Sequence, residues 1–95
     1  MVVKDTDRRL LLDVPPAKFL NLVDGTSIKN LMSLAQFLNN MPDNVYGYHV
    51  SFLKNDFSDW VKNTIKDKNL AKNIAEAHSK HEMAMLIEDK ISGIK

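Results

Sequence analysis

The fold class this sequence predicts is mainly α, a single compact domain of four or five short helices with a small N-terminal β-hairpin. Three observations lead there. Beyond residue 30, apolar residues recur at spacings of three and four in separate stretches. A serine, asparagine or aspartate stands just before most of them, as a helix cap does. Nearer the N-terminus the pair Asp24-Gly25, a strong turn signal, divides two short segments of strand-like composition.

Taken in order, Met1 to about Arg9 carries charges of both signs without periodicity and reads as a mobile N-terminal arm, leaving residues 10–95 as the globular domain. Leu10-Leu11-Leu12 is too apolar to stand exposed and is expected to pack on the core or on a partner. Lys18 to Val23 and Thr26 to Ile28 form the arms of the expected hairpin. The competing reading is a helical turn over residues 16–23 with Pro16 at its first position. Asn30 then caps a helix whose apolar face is Leu31, Leu34, Ala35, Leu38 and Met41, ended by Met41-Pro42. Asp43 to Tyr48 is expected to be a short helix, with strand as the alternative.

The stretch His49 to Val61 is the centre of the chain. It holds the single tryptophan, two of the four phenylalanines and a histidine. Phe57, Trp60, Val61 and Ile65 share one helical face, so Asp56 is expected to be the N-cap, contributing about 1 kcal/mol, with Asp59 adding charge where the helix dipole favours it. Phe57 and Trp60 would each remove roughly 150–250 Å² from water, which makes this helix the structural nucleus. Lys66-Asp67-Lys68 marks a break, and Asp67 caps a helix with Leu70, Ala71, Ile74, Ala75 and Ala77 on its apolar side. Ser79 with Glu82 three residues on fits the capping box and opens the last helix, with Met83, Leu86, Ile87, Ile91 and Ile94 inward.

Composition narrows the function classes. With 44% apolar and 26% charged residues in 95, the chain has the make-up of a folded globular domain. Thirteen basic against twelve acidic residues leave a net charge of +1, too little to attract nucleic acid or anionic lipid in bulk. There is no cysteine, hence no disulfide, thiolate zinc site or thiol nucleophile. The leucine triplet falls far short of a signal-peptide core or a membrane span. A soluble cytoplasmic protein is the expectation, with no membrane association.

The turn Asp24-Gly25, Asn30-Leu31 opening a helix, Met41-Pro42, His49-Val50, Asn55-Asp56-Phe57, Trp60 and Leu70-Ala71 form a series with a family likeness. Over about residues 18–91 the chain resembles a family of small domains, widespread in archaea and also found in bacteria, catalogued as a domain of unknown function. Relatives tend to carry an Arg-Asp pair after the tryptophan and a glycine at the next helix end. Here Lys62-Asn63 and Lys66 stand instead, and lysine takes a left-handed C-cap less readily than glycine. The resemblance implies no particular activity.

Four groups of residues are candidates for function. Tyr46, Tyr48 and His49 form a candidate binding site, in which His49 would act as general base or pH-sensitive switch; the favoured alternative is a structural histidine bonded to a backbone carbonyl or to Asp56. Lys62, Lys66 and Lys72, with Lys68, make a basic cluster around a helix break, a nucleic-acid reading disfavoured by the interleaved Asp59 and Asp67. His78, His81 and Glu82 have approximate metal-ligand spacing but lie across a helix boundary, so no metal and no cofactor are assigned. Met83, Met85 and Leu86 would be a soft binding surface or core filler. Asp56, Phe57 and Trp60 are read as structural. The favoured function is a non-enzymatic protein-interaction module with an unknown protein partner. Nucleic-acid binding through the Lys62–Lys72 face is the alternative, and an enzyme centred on His49 comes third. Nothing in the sequence sets the oligomeric state.

Overall fold

The computed structural model describes residues 12–93. The expected arm, Leu10, Leu11 and Ile94 lie outside them. Val14 lies against the hairpin region, its N–H donating to the Lys29 carbonyl at 2.8 Å. A 3₁₀ turn over Pro16–Lys18 has Pro16 at its start, where a missing N–H costs nothing. Then β1 (Leu20–Asn21) pairs antiparallel with β2 (Ser27–Ile28), Leu20 opposite Ile28. Both N-terminal readings therefore hold in part. The proline sets a helical turn through Lys18, and only then does the chain extend into a hairpin.

The hairpin turn is closed by Leu22 N–H to the Thr26 carbonyl at 2.7 Å and Gly25 N–H to the Leu22 carbonyl at 3.0 Å. Gly25 has φ of 92°, a conformation that side-chain-bearing residues rarely adopt, while the Asp24 carboxylate accepts from Thr26 N–H.

Five α-helices follow among the described residues: α1 (Leu31–Asn40), α2 (Asp43–His49), α3 (Asp56–Trp60), α4 (Lys68–Ala75) and α5 (Lys80–Ser92). Asn30 caps α1 through Ser33 N–H, and Met41-Pro42 ends it as expected. The buried face of α1, Leu31, Leu34, Ala35 and Leu38, packs most extensively on α5, which turns Met83, Ala84, Ile87 and Ile91 inward. Lys80 stitches the start of α5 to the junction after α1, donating to the Met41 carbonyl and the Asp43 carboxylate, each at 2.6 Å.

The helix that begins at α3 continues as one π-helical turn, Val61–Ile65. It stops at Lys66, whose φ of 67° and ψ of 35° are left-handed, with the Lys66 and Asp67 N–H groups both returning to the Val61 carbonyl. The break thus forms on a lysine where glycine would cost less. Asp67 then caps α4 through Leu70 N–H and also meets Lys90 at 3.3 Å.

Three expectations need correction. The N-cap of α3 is Asn55, whose side chain accepts from Ser58 N–H at 3.0 Å; Asp56 is the first helical residue and its carboxylate points elsewhere. In the last helix Ser79 accepts from Glu82 N–H, but the Glu82 carboxylate reaches the N–H of His78 instead of that of Ser79. Ala75 is exposed, because it sits about 90° from the centre of the stripe that Leu70, Ala71 and Ile74 bury.

Helix α3 is the hub. Phe57 is fully buried and Trp60 nearly so. Its polar groups reach three other elements: Trp60 Nε1–H donates to the Lys18 carbonyl at 2.9 Å, Ser58 Oγ–H to the Ala71 carbonyl at 2.7 Å, and Asp56 meets His49 at 2.9 Å.

Candidate protein-interaction site

Between α2 and α3 the chain must reverse within six residues. Val50 and Asn55 form an isolated antiparallel bridge, and Ser51 N–H donates to the Lys54 carbonyl at 2.8 Å. The Ser51 hydroxyl accepts from Leu53 N–H at 3.3 Å. At the tip of this tight reversal stand Phe52 and Leu53, with relative exposures of 102% and 89%. Single exposed apolar residues are ordinary on a protein surface; two adjacent and almost wholly wet ones on a braced turn are not. Tyr48, the next exposed aromatic along the chain, lies at the base of the same reversal.

The brace beneath the tip is His49. Its side chain is buried within the domain, and both ring nitrogens are engaged. Nε2 accepts from the N–H of Val23 in the hairpin turn, 26 positions away, at 3.0 Å. Since Nε2 accepts, it carries no proton, and Nδ1–H must be the donor to Asp56 Oδ2 at 2.9 Å. The same oxygen of Asp56 accepts from Lys54 Nζ at 3.1 Å, and that ammonium lies 5.0 Å from the centre of the Tyr48 ring. The His49 ring also packs on Phe57 at 5.7 Å and edge-on to Tyr48 at 5.0 Å.

Partial burial by itself would raise the Asp56 pKa, but the hydrogen bonds from His49 and Lys54 outweigh it and hold the carboxyl below its ordinary value. Asp24 is held low mainly by the Thr26 N–H, and Asp43 by the hydrogen bond from Lys80. For all three the folded pKa lies below the unfolded one. Their contribution to stability is therefore complete above the unfolded carboxylate value near 4 and disappears as pH falls through the lower folded values.

The sequence-derived candidates are distributed as follows. Tyr46 is half-buried, stacked on Phe57 at 6.1 Å, and burial pushes its phenol pKa up. Tyr48 faces water and His49 faces inward, so the three do not converge on one open site. His49 was expected to bond a backbone carbonyl or Asp56; it bonds Asp56 and a backbone N–H. Lys62, Lys66, Lys68 and Lys72 are all exposed, and Asp67 among them pairs with Lys90. His81 contacts Asn39 at 3.5 Å, and among the described residues no group of three or more His, Asp or Glu side chains is placed to hold a metal. Met83 is core, Leu86 is partly buried against it and Met85 is exposed. Leu12 is exposed as well, so this member of the triplet does not pack into the core.

Phe52 and Leu53 were not singled out from the sequence. The signal was present: an apolar pair between Ser51 and Lys54-Asn55, placed before the helix cap and therefore outside the helical register of Phe57, Trp60 and Val61. No described helix is long and apolar enough to cross a membrane. Comparison of the chain with family models, with curated proteins and with solved structures gives no significant match.

Proposed function

We propose that this domain is a non-enzymatic protein-interaction module of the cytoplasm that docks by inserting Phe52 and Leu53 into an apolar cleft of a partner protein. The observation that carries the reading is the near-complete exposure of these two side chains on a turn held from below by His49, Asp56 and the Asn55 cap. Burying both on a partner would contribute roughly 3–6 kcal/mol before the entropic cost of association, which is the scale of an interface anchor. Because the turn is already braced, little further ordering is needed on binding. A protein cleft is favoured over a lipid surface by the charges at the base of the turn. Lys54, the cation beside the tip, is paired with Asp56, and the Asp24 carboxylate lies on the other side of His49, so among the described residues the base of this turn presents no cluster of unpaired cations to anionic headgroups.

In this reading the residues that carry the family resemblance, His49-Val50, Asn55-Asp56-Phe57 and Trp60, are the frame of the turn. The enzyme reading draws no support from His49, whose lone pair and N–H are both committed within the fold.

The test is the double substitution Phe52→Ser, Leu53→Ser. Its denaturant midpoint should match wild type to within about 0.5 kcal/mol, as for surface positions. Isotope-ratio affinity capture from the native cytoplasm should show discrete partners lost with the variant. A loss of more than about 2 kcal/mol would make the pair a folding element. Undiminished capture by a stable variant would remove the turn from the interface.

A further inference from the structure

We infer that His49 is a proton-operated latch on the docking turn: one proton added at Nε2 releases the hairpin from the α2–α3 corner and weakens the hold on Lys54. This deepens the interaction reading by giving its site a control, and it rests on the geometry of a single buried ring.

The chemistry leaves no alternative place for the proton. Nδ1 already bears a hydrogen directed at Asp56, and Nε2 holds the only lone pair in the ring plane. Protonation there sets an N–H against the Val23 N–H at a 3.0 Å separation, which cannot persist. The new cation stays with Asp56, whose carboxylate strengthens that bond. What breaks is the link to Val23, the long-range hydrogen bond that holds the hairpin turn to this corner.

A second effect runs through the shared oxygen. Asp56 Oδ2 receives both His49 Nδ1 and Lys54 Nζ. With neutral His49 it serves one cation; with protonated His49 it serves two, which repel each other. Lys54 is the more exposed partner and the one free to leave, and it adjoins Leu53. The charged and titratable groups facing His49 are Asp24 from the hairpin turn, Lys54 from the reversal, Asp56 from α3 and Tyr48 from its own helix. Phe57 closes the remaining side. Acid therefore frees the hairpin turn and loosens the turn that presents Phe52 and Leu53, so docking weakens while the helical core persists.

Solution NMR of the uniformly ¹⁵N-labelled chain tests this without any partner. At about pH 8 the ring ¹⁵N shifts should report the Nδ1–H tautomer. As acid protonates the ring, the Val23 amide should move with the midpoint of the His49 ring itself, and its exchange protection should fall about threefold to tenfold, the loss of one hydrogen bond. The Leu53 and Lys54 amides should follow the same midpoint. The double variant His78→Gln, His81→Gln, which removes the two exposed histidines, should behave identically. His49→Gln keeps an acceptor for Val23 at every pH and should abolish the response. The latch is refuted if the ring at high pH carries its proton on Nε2, if it takes up no proton before the core unfolds, or if Val23 keeps its protection once the ring is protonated. A latch that fails these tests leaves the exposed turn, and its docking test, untouched.

Discussion

Replacing Trp60 with alanine is expected to unfold most of the population. The side chain is nearly inaccessible, packs in the common core with Phe57 and Val61, and its indole N–H is the bond from α3 to the Lys18 carbonyl. Removing a large buried aromatic costs about 3–5 kcal/mol from the lost burial and the cavity left behind, and the stranded carbonyl adds to it. That equals the lower part of the stability range of a domain this size. Circular dichroism on heating should show a transition lowered by tens of degrees or no cooperative transition. A melt within a few degrees of wild type would mean that the indole is not part of the core.

His49→Ala is expected to lower stability by about 1–3 kcal/mol at neutral pH. The substitution strands the Val23 N–H, takes one donor from Asp56 and opens space beside Phe57. Lys54→Ala, which also removes a donor to Asp56, should cost less than about 1 kcal/mol because that ammonium is half in water. Urea midpoints of the two variants give the comparison directly. Equal, negligible losses in both would show that the buried ring is not a tie between hairpin and helix.

The parts of the fold that were legible in the sequence are those governed by local rules. Asn30, Asp67 and Ser79 cap the helices they precede, because a short polar side chain three residues before a free N–H has one obvious use. Asp24-Gly25 makes its turn because glycine takes at little cost a φ that side-chain-bearing residues rarely adopt. Where two residues compete for one role, spacing was insufficient. Asn55 and Asp56 are both good caps, and the choice fell to Asn55 because His49 and Lys54, brought in by tertiary contacts, claim the aspartate. The break at Lys66-Asp67-Lys68 was legible, but the π turn leading into it was not, for a related reason. Packing of Val61 and Ile65 into the core outweighs the backbone cost that a lysine there carries.

The candidate site divides along the same line. His49 was visible as a histidine with carboxylates nearby, and one of its two partners was foreseen. Its other partner, Val23, lies in a different supersecondary unit and could only come from the fold. Phe52 and Leu53 were passed over because apolar residues near a tryptophan invite assignment to the core. Their exposure follows from geometry: a six-residue reversal pinned at Val50 and Asn55 leaves its two central side chains no interior to face.

Photocrosslinking is the most direct test that this turn is the docking element. The photoreactive residue benzoylphenylalanine replaces Phe52 in one chain and the exposed Lys68 in another, and both are irradiated in the cells that make the protein. Position 52 is expected to give one or a few discrete protein adducts that Leu53→Ser suppresses, with none of them from position 68. The same adducts from both positions, or none from position 52 while the folded chain is abundant, would contradict a docking role for Phe52 and Leu53.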